Sequence, residues 1–339
     1  MATKAIPVVA EKVAATLTDY PAFVQPSLMT GWGALTLAEA QSLRFYSDEA
    51  LTTELAREVV SADEIHVKVP SLTTTTTIYA DYDGVRADYA TSATYGRNAV
   101  WSDYELVMHL QDATTDSTGN YSPTNSGAAD GSGQIEGAQV FEQANNDRIV
   151  IPGLGTTVGS NNFTASTWVN IAAALTAAQR HLTLGAESGG GFDDLVDLYT
   201  QTSSQGGVIQ VLFRGTNFLI LDSAESIVGD GWVKITYTRS GNTGEVWFGD
   251  VSKATATGAA VGAANANGDA SIGNWTLSSN RGTNGSQDET RIRLSVLSDD
   301  WITTEYNNQS DVGTFWGTVT DAGGGSGAAK NPLFFGGGI

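Results

Sequence analysis

Apolar and polar residues alternate along most of this chain, with a period near two rather than 3.6. Alternation of that kind lays an apolar face along an extended strand. Strands are expected at Tyr20 to Gln25, Leu43 to Tyr46, Ile65 to Val69, Thr75 to Asp81, Arg148 to Ile151 and Phe163 to Ile171. Further strands are expected at Leu182 to Gly185, Val208 to Arg214, Asn217 to Leu221, Trp232 to Thr238, Glu245 to Gly249 and Thr290 to Leu294. Clusters of Gly, Asn, Asp or Ser separate many of them, and Ser240-Gly241-Asn242 reads as a hairpin turn. Helical signal is confined to Leu35 to Leu43, with Thr36 as cap and Glu39 in the first turn, and to the segment from Ser298 through Tyr306. Under about a fifth of the residues should be helical. Two stretches break the strand rhythm. Asp112 to Gly137 reads as a long surface loop, and Ala322 to Ile339 as a Gly-rich arm ending in Leu333, Phe334 and Phe335.

Composition supports an all-β protein. Among 339 residues there are 39 Gly, and only 16% are charged, as many short strands joined by tight turns require. The 17 Lys and Arg stand against 37 Asp and Glu, a net charge of −20 that disfavours contact with a phosphate backbone. Cys is absent, which excludes disulfides, thiolate metal sites and Cys catalysis. The segment Met1 to Ala15 lacks a continuous apolar run, so no signal peptide is expected, and no window approaches a membrane span.

Several stretches resemble known patterns, in the correct order. Leu17-Thr18-Asp19-Tyr20-Pro21-Ala22-Phe23-Val24, Ser42 to Asp48, Ile65 to Leu72 and the Thr-rich strand Thr73 to Tyr82 resemble a domain-of-unknown-function family that commonly precedes laminin-G-like domains. In place of that family's usual ending this chain has Asp81-Tyr82-Asp83-Gly84. The second half is similar to laminin-G-like jelly rolls of the concanavalin A superfamily. The likeness is carried by Leu106 to Leu110 with Asp116 to Asn120, Gly137 to Phe141, Asp147 to Pro152, Phe163 to Val169, Gly231 to Tyr237, and Asp288 to Arg293 with Trp301 to Asn308. The resemblance implies a small N-terminal β-sandwich (1–98), then a concanavalin A-like antiparallel jelly-roll sandwich (99–320), then a C-terminal arm (321–339). It places Trp168, Trp232, Phe141 and Ile149 on inward-facing positions, and the Trp301 to Tyr306 helix over one end of the sandwich.

Candidate chemistry is sparse. The superfamily includes glucanases, but no Glu is followed two positions later by Asp, and Asp193-Asp194 with Asp197 has the wrong spacing and reads as a solvated loop. His66, His109 and His181 are scattered and read as structural. No enzyme is expected. By motif position the resemblance implies a rim calcium site at Asp112 and Asp288, with Asp116 behind them. Trp101, Tyr104 and Tyr121 lie near loops where a glycan could stack, although no glycan-binding residue is assigned.

The resulting expectation is a non-enzymatic bacteriophage virion protein: a capsid decoration, head fibre or tail fibre, made in the host cytoplasm. Its partners would be other virion proteins, further copies of itself and host-surface glycans, with no nucleic acid and no membrane insertion. Leu333, Phe334 and Phe335 would dock the arm on a neighbour. The alternative is a bacterial or archaeal cell-surface, carbohydrate-binding adhesin.

Overall fold

The computed structural model describes residues 3–82, 84–173, 176–185, 196–213, 219–258, 268–275 and 281–322. Leu333, Phe334 and Phe335, with the arm from 323 on, lie outside the described residues, as do Asp193 and Asp194.

Two antiparallel sheets face each other to form the large sandwich. One runs in the order Ala129–Ser132, Gly137–Phe141, Gly285–Arg293, Phe163–Ile171, Trp232–Ser240, Thr243–Phe248, Val251–Thr257, with Leu106–Met108 also paired to Gly285–Arg293. The other runs Leu219–Ser226, Val208–Phe213, Val196–Thr200, Gln179–Leu184, Ala270–Ile272, Arg148–Ile151, Thr124–Ser126. Alternate residues of both sheets, among them Phe141, Ile149, Val169, Leu182, Leu198, Phe213, Ile235 and Ile292, fill the core between them. Gly241 has φ +59 at the first position of the two-residue turn joining Trp232–Ser240 to Thr243–Phe248, where a side chain would be strained.

The N-terminal unit is built from two smaller antiparallel sheets. A three-stranded sheet runs Leu17–Val24, Ile65–Leu72, Arg57–Val59. A five-stranded sheet runs Thr320–Asp321, Lys4–Pro7, Thr77–Asp81, Arg44–Tyr46, Glu54–Leu55. The helix Leu37–Ser42 starts on the expected capping box: the Thr36 hydroxyl accepts from the Glu39 amide, and the Glu39 carboxylate accepts from the Thr36 amide.

Packing crosses the expected boundary at residue 98. After the sandwich closes, the chain returns through the helices Asp299–Ser310 and Val312–Phe315 to the N-terminal unit. There Trp301, Val312, Phe315, Trp316 and Val319 share one core with Ile6, Tyr20, Phe23 and Ile78, and Thr320–Asp321 pairs with Lys4–Pro7. Leu17–Val24 is an edge strand, and its free peptide groups at Phe23 are met by side chains. Asn308 Oδ1 accepts from the Phe23 amide at 2.7 Å, and the Phe23 carbonyl accepts from Asn308 Nδ2 at 2.9 Å and Trp316 Nε1 at 2.8 Å.

Asp299–Ser310, at 12 residues the longest helix among those described, is capped by Ser298 as expected, but it does not lie over an end of the sandwich. It covers the outer face of the sheet. Trp168 and Lys234 alternate with core residues on their strands and so point outward, where Trp168 Nε1 donates to Gln309 Oε1 at 2.9 Å and Lys234 Nζ to Glu305 Oε2 at 2.6 Å. Trp168 is therefore buried under the helix instead of between the sheets, and Trp232 is only half-buried. The segment Asp112 to Gly137 is also not a plain loop, since it contributes Thr124–Ser126 to one sheet and Ala129–Ser132 to the other. No helix among the described residues is long and apolar enough to cross a membrane.

Candidate ligand cleft and buried polar network

The expected calcium ligands do not form a cage. Asp112 is exposed, and its Oδ1 accepts from the amides of Thr114 and Thr115 at 2.8 and 2.7 Å, closing its own turn. Asp288 is fully buried mid-strand; its Oδ2 accepts from the Ile135 amide at 2.8 Å, and burial followed by the neighbouring Glu289 charge pushes its carboxyl well above the usual range. No hydrogen bond joins the two. Asp116 is buried as well, and its two oxygens accept from the amides of Val107, Thr118, Asn120 and Tyr121 and from the Thr118 hydroxyl. It organises the loop. Among the aromatics expected near a glycan, Trp101 and Tyr104 are buried and Tyr121 is half-buried.

A cleft of about 430 Å³ opens instead beside the strands Gln179–Leu184 and Val196–Thr200, lined by Thr176, Arg180, Tyr199, Gln201, Gln205 and Arg281 among others. Arg180 and Tyr199 are cross-strand partners, next to a bulge at His181 that sets Arg180 out of step with Leu182. The Arg180 guanidinium lies 4.2 Å from the Trp275 ring centroid and 5.1 Å from that of Tyr199, and Arg281 stacks on Trp275 at 5.2 Å. Asp197 stands 3.6 Å from Arg180 Nε and accepts from Thr183 Oγ1 at 2.6 Å and Trp275 Nε1 at 3.2 Å. Far from being a solvated loop residue, Asp197 is buried on a strand. Arg180 is only 5% exposed, yet its Nη1 has no hydrogen-bond partner. Two cations in one cleft of so acidic a chain reverse the prevailing charge.

On the other face of the same strand, His181 is fully buried between Thr283 Oγ1 at 2.8 Å and Thr200 Oγ1 at 2.7 Å. Burial, with a smaller push from the Arg180 charge, lowers its imidazole from 6.5 to about 3. Between those values the unfolded chain binds a proton that the folded chain refuses. The stability contributed by neutral His181 is thus complete above pH 6.5 and is lost as pH falls toward 3, at about 1.4 kcal/mol per pH unit. Urea melts across that range should show a shallower pH dependence for His181→Gln than for the parent chain; parallel curves would refute it.

Between the N-terminal unit and the outer face of the sandwich lies a buried polar network. His109 Nε2 is 3.0 Å from Glu58 Oε2, and its Nδ1 is 2.9 Å from Glu64 Oε1 and 2.5 Å from Glu289 Oε1. The His66 and His109 rings stack with centroids 4.6 Å apart, and His66 Nε2 is 3.1 Å from Glu64 Oε1. Arg291 donates to Glu289 Oε2 and, at 3.0 Å, to Glu305 Oε1. The network divides its protons unevenly. Burial pushes Glu64 up to about 8; burial would lower His109, but the carboxylates of Glu289, Glu58 and Glu64 outweigh it and hold the imidazole well above its usual value. The structural reading of His109 and His66 missed this gathering. The signal was present in Glu64-Ile65-His66 and Glu289-Thr290-Arg291, where polar residues two apart must share a face.

Solved structures of low identity are similar to part of this chain. Domain 4 of AbnA, a GH43 extracellular arabinanase from Geobacillus stearothermophilus, in complex with arabinotriose, is 19% identical with a TM-score of 0.49, the match covering 59% of this chain and 97% of that one. The binding domain of Paraclostridial Mosquitocidal Protein 1 is 12% identical with a TM-score of 0.48, covering 60% of this chain and 52% of that one. The botulinum neurotoxin serotype D ligand binding domain, in complex with N-acetylneuraminic acid, is 15% identical with a TM-score of 0.47, covering 63% and 53%. The match thus spans about half the length of the two toxin chains. A search of curated proteins found no match. Residues 143–303 fit the family model described as the concanavalin A-like lectin/glucanases superfamily, and that stretch supplies most strands of the two large antiparallel sheets packed face to face.

Proposed function

We propose that this chain is a non-catalytic carbohydrate-binding protein whose ligand seats in the cleft at Arg180 and Arg281. The observation that carries the reading is Arg180: buried, stiffened by Trp275 and Tyr199, and holding an unpartnered Nη1 beside the cleft. A buried donor left without a partner costs about 1–3 kcal/mol, which a ligand oxygen would recover. The amides of Gln201 and Gln205 and the hydroxyl of Thr176 suit the hydroxyls of a sugar, and the arginine pair favours one bearing a carboxylate. None of the described residues lining the cleft is a carboxylate, whereas glycoside hydrolysis by the usual route needs two. The virion setting expected from the sequence is not needed for this reading.

Arabinotriose and N-acetylneuraminic acid, the sugars named for two of the compared structures, give a neutral and an acidic probe within a wider glycan panel. We expect the acidic glycans to bind in calorimetry without release of hydrolysis products. Arg180→Gln or Arg281→Gln should weaken binding roughly 10- to 100-fold, the loss of a charge-assisted hydrogen bond. Equal affinity in both variants, or no binding across the panel, would overturn the assignment.

A further inference from the structure

Four side chains at the centre of the buried network point to a metal site. We propose that Glu64, His66, His109 and Glu289 bind a divalent transition-metal ion of the zinc class, clamping the N-terminal unit to the sandwich. Glu64 and His66 come from the N-terminal unit, at the start of Ile65–Leu72; His109 follows Leu106–Met108, and Glu289 lies on Gly285–Arg293. One nitrogen or oxygen from each lies within 4.8 Å of the others, and all four residues are buried. The adjacent pairs, His109 Nδ1 to Glu289 Oε1, His109 Nδ1 to Glu64 Oε1 and His66 Nε2 to Glu64 Oε1, are separated by 2.5, 2.9 and 3.1 Å. Tetrahedral ligand atoms each about 2.0–2.2 Å from a common ion stand roughly 3.3–3.6 Å from one another, so the four side chains need to part by only a few tenths of an ångström to about 1 Å to admit one.

The outward atoms strengthen the case. Glu64 Oε2 accepts from Gln111 Nε2, Glu289 Oε2 accepts from Arg291, and His109 Nε2 faces Glu58 Oε2. In three of the four residues one atom is thus held from outside while the other is turned to the common centre. Outer partners of this kind orient metal ligands and fix the imidazole tautomer. Two imidazole nitrogens with two carboxylate oxygens suit zinc and its neighbours better than calcium or magnesium, which take oxygen shells. Four protein ligands in a buried setting describe a structural site.

Elemental analysis of the chain, expressed with zinc and passed through gel filtration, should find a single zinc per molecule. Refolded from chelator-containing denaturant with Co²⁺, it should gain the visible absorption of protein-bound cobalt, and refolded with Zn²⁺ it should melt several degrees above the chelated chain. His66→Gln and Glu289→Gln should fold by circular dichroism but lose the ion, while Asp112→Asn should keep it. A folded parent chain with negligible zinc and one melting temperature in zinc and in chelator overturns the proposal. So does stabilisation by Ca²⁺ alone, or full zinc content in both folded ligand variants.

Discussion

Replacing Arg291 with Met is expected to destabilise the chain by about 3–5 kcal/mol, measured by urea unfolding in the presence of a chelator. Arg291 is 2% exposed and is the shared donor to Glu289 and Glu305, with its guanidinium 4.8 Å from the Trp101 ring centroid. Met keeps much of the volume but none of the charge. Glu305 retains Lys234 at 2.6 Å, whereas Glu289 is left with His109 as its remaining cationic partner. The cost therefore comes mainly from an under-compensated buried carboxylate and not from lost packing. Glu289→Gln added to Arg291→Met should restore part of the stability, since the double change removes the stranded charge. A loss below about 1 kcal/mol in the single variant would show that Arg291 behaves as an exposed ion-pair member, for which values in that range are usual.

Trp316→Ala should cost a similar amount, about 3–5 kcal/mol, although Trp316 follows the whole sandwich in sequence. Its side chain is 2% exposed within the N-terminal core, stacks edge-on against Phe315 and donates from Nε1 to the Phe23 carbonyl. Truncation opens a cavity there and leaves the edge strand Leu17–Val24 with one of its side-chain partners removed. Hydrogen exchange should quicken at amides of that strand more than in Phe163–Ile171. Equal slowing or quickening in both strands would mean that the variant unfolds as a single body and that the C-terminal return does not specifically secure the N-terminal unit.

Local chemistry determined much of the secondary structure. Phe163 to Ile171 was legible to the residue because its length and composition suit a central strand, and Ser240 to Asn242 because a two-residue turn needs a residue such as Gly241 at positive φ. Thr36 with Glu39, and Ser298 before two acids, announce helix starts through bonds made within one turn. The ordered motifs from Leu106 to Asn308 likewise carried the sandwich, and the inward positions that the resemblance implied hold for Phe141 and Ile149, though not for Trp168 and Trp232.

What the tertiary structure decided are the features with no local cause. Thr124–Ser126 and Ala129–Ser132 are short, polar strands that owe their conformation to ladders with Arg148–Ile151 and Gly137–Phe141, so no periodicity of their own announces them. Trp168 was expected between the sheets, but it lies with Lys234 on the outer face of their sheet, which the returning helix covers, so both faces are interior there. Asp288 was assigned to a rim by motif position, whereas burial beside Glu289 and a bond from Ile135 make it part of the interior. Glu64, His66, His109 and Glu289 span 225 positions of sequence, and Arg180 reaches Trp275 across 95. Local spacing could place each on a strand face; only the docking of the N-terminal unit against the sandwich brings the first four together, and only the pairing of distant strands within the sandwich brings Arg180 to Trp275.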